Sequence, residues 1–205
     1  MAEHVRVSEK LMVAWKWLSK LEIGHVRRFS TYTQSIAVRG GGGYVWEEAI
    51  DSDSVSVRHT DREHLLGVLD EGRRQGWPGL QVFLGESQRI HAKNPWRQIT
   101  LEQMVIKPLR DEFAIAEYRG VTDPEEGLSN ADIVEEIRAL KEMSGLQIVG
   151  ADRATVWIRT PDPDRVTQAF VDRLLSFCPD ILQGIRQDEV LGFMRNGGLI
   201  PLWWD

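Results

Sequence analysis

Four consecutive glycines, Gly40 to Gly43, and the carboxylates Glu47, Glu48, Asp51 and Asp53 are the residues of the first part of the chain with most capacity for chemistry. A glycine-rich loop cradles phosphate when it joins a strand to a helix N-terminus. Here strand-like segments lie on both sides and no Gly-Lys-Ser/Thr follows, so the glycines read as a hairpin tip. The carboxylates offer oxygen ligands to a hard cation such as calcium or magnesium. They lack calcium-loop spacing and read as a solvated strand end and turn.

His59 and His64 straddle an expected helix start, and His25 and His91 stand apart. None has the four-residue spacing that sets two imidazoles on one helical face, so no metal site is expected. Cys178 precedes Pro179 at the end of an expected helix, where the macrodipole disfavours a thiolate; a buried structural thiol is the reading. No Gly-x-Ser-x-Gly is present. No catalytic residue and no cofactor are therefore assigned. The enzyme alternative is a dispersed site in which Glu47, Glu48, Asp51 or Asp53 works with His59 or His91 as acid, base or metal ligand. Eight tryptophans include Trp17 on the polar side of the first helix and the pair Trp203-Trp204. Neighbours on a strand point to opposite faces, so one of that pair is a candidate for a protein-binding surface, where aromatic residues dominate.

The elements that must position these groups follow from periodicity. Ser8 caps a first helix with Leu11, Trp15, Leu18 and Leu21 on one stripe, ended by Gly24. Period two from Ser30 to Thr60 predicts three short strands in an antiparallel meander. Thr60-Asp61-Arg62-Glu63 opens a helix carrying Leu65, Leu66, Val68 and Leu69, and Leu80 to Leu84 is a strand. Residues 85–97, with Asn94-Pro95, form a loop, Thr100 to Gln103 caps a short helix, and Phe113 to Tyr118 is a strand. Ser129 caps a helix that Gly145 ends, Leu146–Val149 and Thr155–Thr160 are strands, and Asp162-Pro163 starts a helix bearing Val166, Phe170, Leu174 and Phe177. A short helix with Val190, Leu191, Phe193 and Met194 precedes a last strand from Leu199. Pro201, lacking an amide donor, places that strand at a sheet edge.

The fold class is thus α+β, with an N-terminal helix plus antiparallel meander with helices over 1–120 and a smaller C-terminal α+β module over 121–205. Residues 119–130 are the linker, being nearly free of large apolar side chains. The charge changes there too. Residues 1–120 carry 17 Lys/Arg against 16 Asp/Glu, whereas residues 121–205 carry 8 against 15, a local net charge of −7 within a total of −6. Such an acidic module disfavours binding to nucleic acid, which needs clustered cations. It suits a basic partner, or it is simply a solvated surface. A single cysteine and a polar N-terminus point to a cytoplasmic chain, and no apolar run approaches a membrane span.

Phe177-Cys178-Pro179-Asp180-Ile181, then Gln183-Gly184, then the terminal Trp203-Trp204-Asp205 give the segment from about Ala131 to Asp205 a resemblance to the bacterial family called domain of unknown function 4253. The order of helix, two strands and helix, with Arg159-Thr160-Pro161 before the second helix, is similar too; Gly197 to Pro201 departs. The resemblance implies a small α+β module and a bacterial source, and no reaction. Together with the acidity and the aromatic surplus it leads to the expectation of a protein-binding module: an immunity protein that inhibits a toxin by covering a basic cleft with an acidic surface. The expected contacts are Glu135, Glu136, Asp162, Asp164, Asp180, Asp188, Glu189, Trp204 and Asp205, with no nucleic acid or membrane partner. A structural subunit of a larger assembly is the remaining alternative, and the oligomeric state is open.

Overall fold

The computed structural model describes residues 2–21, 23–24, 26–36, 44–85, 88–91, 98–122, 127–183 and 186–204. The tetraglycine Gly40–Gly43, His25, Asn94 and Pro95 of the expected loop, Asp123 to Glu126 of the expected linker, Gly184 and Asp205 lie outside them. The chain is an α+β protein that divides into two compact units. The first comprises residues 1–82 and 86–108, and the second residues 83–85 and 109–205.

The first unit begins with α1 (Ala2–Lys20), whose Leu11, Ala14 and Leu18 are buried at three- and four-residue steps. Trp17 is on the side expected to be polar, yet its ring meets Trp77 edge to face at 5.2 Å and lies over Gly72, where a Cβ would stand 3.2 Å from the ring. Strands β1 (Arg27–Ile36) and β2 (Tyr44–His59) are antiparallel, and β2 pairs in turn with β5 (Gln98–Pro108). The expected three-strand meander is therefore two long strands. Residues 52–55 do not break β2; they are absorbed in a register shift between the Phe29–Asp51 and Arg27–Ser56 pairs. Helix α2 (Arg62–Arg74) starts where expected, but its cap is Asp61, which accepts the His64 amide at 3.0 Å, one residue past the Thr60 of the capping-box pattern. The helix expected at Thr100 is instead part of β5, where pairing with β2 and with β4 (Gln88–His91) overrides a local capping pattern.

In the second unit, Leu84 at the end of β3 (Leu80–Leu84) pairs in parallel with Gly150 of β6 (Gln147–Ala151), and β7 (Thr155–Arg159) and β8 (Ile200–Trp203) continue antiparallel. Among the described residues β8 pairs with β7 alone, at the end of the strand order. Phe113 to Tyr118, expected as a strand, lies in α3 (Phe113–Arg119): Asp111 accepts the Ala114 amide at 3.0 Å, and Gly120, at φ +65°, ends the helix. Helix α4 (Asn130–Ser144) has the cap read from sequence, a reciprocal box between Ser129 and Asp132, with Gly145 left-handed past its end. Asp162-Pro163 opens only a 3-10 turn (Pro163–Arg165). The helix α5 (Gln168–Phe177) is capped separately by Thr167. A second 3-10 turn (Pro179–Gln183) and α6 (Gln187–Arg195) lead to β8. Phe170, Val171 and Leu174 of α5 join Ile133 and Ile137 of α4 and Val156 and Ile158 of β7 in a buried core. Each such side chain removed from water contributes about 1.5–3 kcal/mol.

Candidate functional site

α6 is anchored by Val190 and Met194, both buried and four residues apart, which leaves a neighbouring stripe of the helix uncovered. That stripe is Glu189, Gly192, Phe193 and Asn196, at positions i, i+3, i+4 and i+7. With Pro201 and Trp203 of β8 it lines a groove of about 700 Å³, closed at one side by Ile181 of the 3-10 turn. Phe193 is 44% exposed there, and Leu182 beside Ile181 is exposed as well. The groove is apolar apart from Glu189 and Asn196. No cation or hydrogen-bond donor meets the Glu189 carboxylate among the described residues.

The floor of the groove is held by the terminal tryptophans. Trp204 is 3% exposed and packs edge to face on Phe177 at 5.4 Å, while Trp203 turns to the groove, as strand alternation requires. Trp204 therefore cannot be the partner contact expected of it: its ring is core. Cys178 is fully buried, and its thiol donates to the Trp203 carbonyl at 3.3 Å.

The other expected contacts lie on several elements and several are already engaged. Glu135 is exposed on α4. Its neighbour Glu136 is clamped by Arg173 of α5 through two bonds of 2.6 and 2.9 Å, and the carboxylate raises the guanidinium pKa above its ordinary value. Asp162 caps the 3-10 turn by accepting the Asp164 amide, and Asp164 is exposed. Asp180 is half-buried, and Asp188 is matched by Arg186 at 3.0 and 3.1 Å. Among the described members of the set, Glu189 alone lines the groove. Phe193 belongs by sequence to the apolar residues that mark this helix; its exposure makes it a wall of the groove.

The first unit offers less. Asp51, Asp53 and His59 share β2, so at about 3.3 Å per residue the carboxylates and the imidazole are separated by on the order of 20 Å. Asp51 is bound by Lys107 at 2.6 Å. The His59 and His64 rings lie 5.0 Å apart, but His59 Nδ1 is engaged locally, accepting the Asp61 amide at 2.9 Å. Among the described residues no group of three or more His, Cys, Asp or Glu is arranged to hold a metal, and no helix is long and apolar enough to cross a membrane.

The residues that carried the sequence resemblance thus meet in space: Phe177 on Trp204, Cys178 on Trp203, Ile181 at the groove. A family model, that of the domain of unknown function DUF4253, matches residues 103–205. The chain belongs to the DUF4253 family. The match starts within β5 and runs through the whole groove, so it is longer than the resemblance seen from Ala131 onward. No curated protein and no solved structure matches the chain. In this DUF4253 protein the groove lies wholly within the family region.

Proposed function

We propose that this DUF4253 protein is a protein-binding module that receives a basic partner on its C-terminal unit, as an immunity protein occludes a toxin. The observation that carries the reading is the groove beside α6, with its exposed Phe193 and with Glu189, whose carboxylate meets no cation among the described residues. Apolar surface supplies affinity, and the Glu189 carboxylate at its edge selects a cation. The net charge of −7 over residues 121–205 adds steering toward a positive surface. Charge alone is the weaker support, because Glu136 and Asp188 are balanced by Arg173 and Arg186.

The test is to recover the tagged chain from its own cell, identify what travels with it, and express that protein alone and together with the chain. The expected result is a basic protein that arrests growth alone and is harmless in the pair, with association that weakens as salt rises. A partner that is harmless by itself would remove the inhibitor role, and association indifferent to salt would remove the electrostatic one.

A further inference from the structure

We propose that the groove takes an amphipathic helix of the partner, with apolar residues on one face and Lys or Arg flanking it, its backbone closing over Gly192. This rests on the protein-binding reading and names the occupant.

Three features favour a helix over an added strand. First, the outer edge of β8 is a poor template for strand addition: Pro201 has no amide to donate, and the Trp203 carbonyl is taken by the Cys178 thiol. An occupant must therefore enter by its side chains. Second, the uncovered stripe of α6 has helical spacing, Glu189, Gly192, Phe193 and Asn196, which is the surface another helix packs against. Third, a Cβ built on Gly192 meets nothing within 4 Å, so the middle of the stripe is bare backbone facing open space. A glycine in a helix interior is unfavourable by itself, and here it permits close approach of a second backbone. Phe193 and Trp203 then flank the incoming apolar side chains, and Glu189 meets a Lys or Arg at the edge. That pairing supplies the cation that Glu189 lacks among the described residues.

Gly192→Leu is the decisive variant, because it fills the groove from a position where added atoms meet no neighbour. A display library of randomised peptides about four helical turns long is selected on the full chain. The expected binders carry apolar residues at three- and four-residue steps with flanking Lys or Arg. Their affinity should fall about tenfold or more on Gly192→Leu, and less on Glu189→Gln, with a shallower salt dependence in the second. Thermal midpoints of both variants should match or exceed that of the wild type. Binders that alternate as strands, binders that are acidic, binders indifferent to Gly192→Leu, or an empty selection would each overturn the proposal. A cellular partner that binds wild type and Gly192→Leu equally would overturn it too, while leaving the protein-binding reading intact.

Discussion

Phe193 lies against Gly198 so closely that a Cβ built on the glycine would stand 2.7 Å from the ring Cζ and nearer still to two other ring carbons. The Gly198 amide also donates to the Phe193 carbonyl at 3.0 Å, so the turn after α6 and the ring are set together. Gly198→Ala should therefore leave the fold intact, at a cost of about 1 kcal/mol, and swing the half-exposed ring to a new position in the groove. Aromatic proton shifts of Phe193 report that movement, and partner affinity should fall with it. Unchanged shifts would mean that the ring does not bear on Gly198.

Gly150 presents the opposite case, since its neighbour cannot yield. A Cβ there would stand 2.6 Å from the Leu84 Cβ and 2.9 Å from the Leu84 carbonyl carbon, at the one registered pair of the parallel β3 and β6 contact. Gly150→Ala should reduce stability by about 2–3 kcal/mol, read as a lower urea midpoint with the slope preserved. A midpoint equal to wild type would place β3 farther from β6 than described.

These two glycines show which parts of the structure the sequence made legible. Ser129 with Asp132 and Gly145 bracket α4 because capping is chemistry between residues three or four apart, and both ends form as read. Phe113 to Tyr118 reads as a strand, but a segment this short has too few residues for period to separate strand from helix; the Asp111 contact with Ala114 and the left-handed Gly120 make it a helix. Thr100 to Gln103 looks like a cap locally, and only pairing with distant β2 makes it a strand. The groove was illegible for the same reason. Glu189 stands out in the sequence by its charge alone, and Gly192 carries no signal there. Their meaning depends on β8 and the Pro179 turn arriving beside α6 from elsewhere in the chain.

The capping box makes a pH prediction. The Ser129 hydroxyl and amide both bond the Asp132 carboxylate, the hydroxyl chiefly, and hold its pKa below the ordinary aspartate value. A depressed carboxylate stabilises the fold fully above its unfolded pKa and loses that contribution as pH falls through the lower folded value. Asp132→Asn should thus be less stable than wild type at neutral pH, with the gap closing in acid below the ordinary aspartate range. Melts across pH measure it, and a gap constant from neutral to acid would show that ionisation of Asp132 is irrelevant.

Cys178 should be silent toward thiol reagents in the native protein. It is fully buried with its hydrogen donated to Trp203, and it closes α5 at the end where a thiolate is disfavoured. Labelling by a disulfide reagent should follow the opening of the second unit, accelerating with denaturant. Fast labelling without denaturant would mean that the packing of Cys178 against β8 opens readily.

Charge substitutions separate the groove from the rest of the acidic surface. At physiological salt, screening confines electrostatic influence to about 8 Å, so a carboxylate matters to a docked cation only if it is local and free. Glu189 meets both conditions among the described residues. Glu136 fails the second, because Arg173 holds it at 2.6 and 2.9 Å and presents a nearly neutral pair to anything approaching α4. Glu189→Gln should accordingly slow association with the partner several-fold and flatten its salt dependence, whereas Glu136→Gln should change the rate by less than about twofold. Stopped-flow association across a salt series reads both. Equal effects of the two substitutions would show that the partner responds to the net charge of the unit, and that Glu189 has no special position beside Phe193 and Trp203.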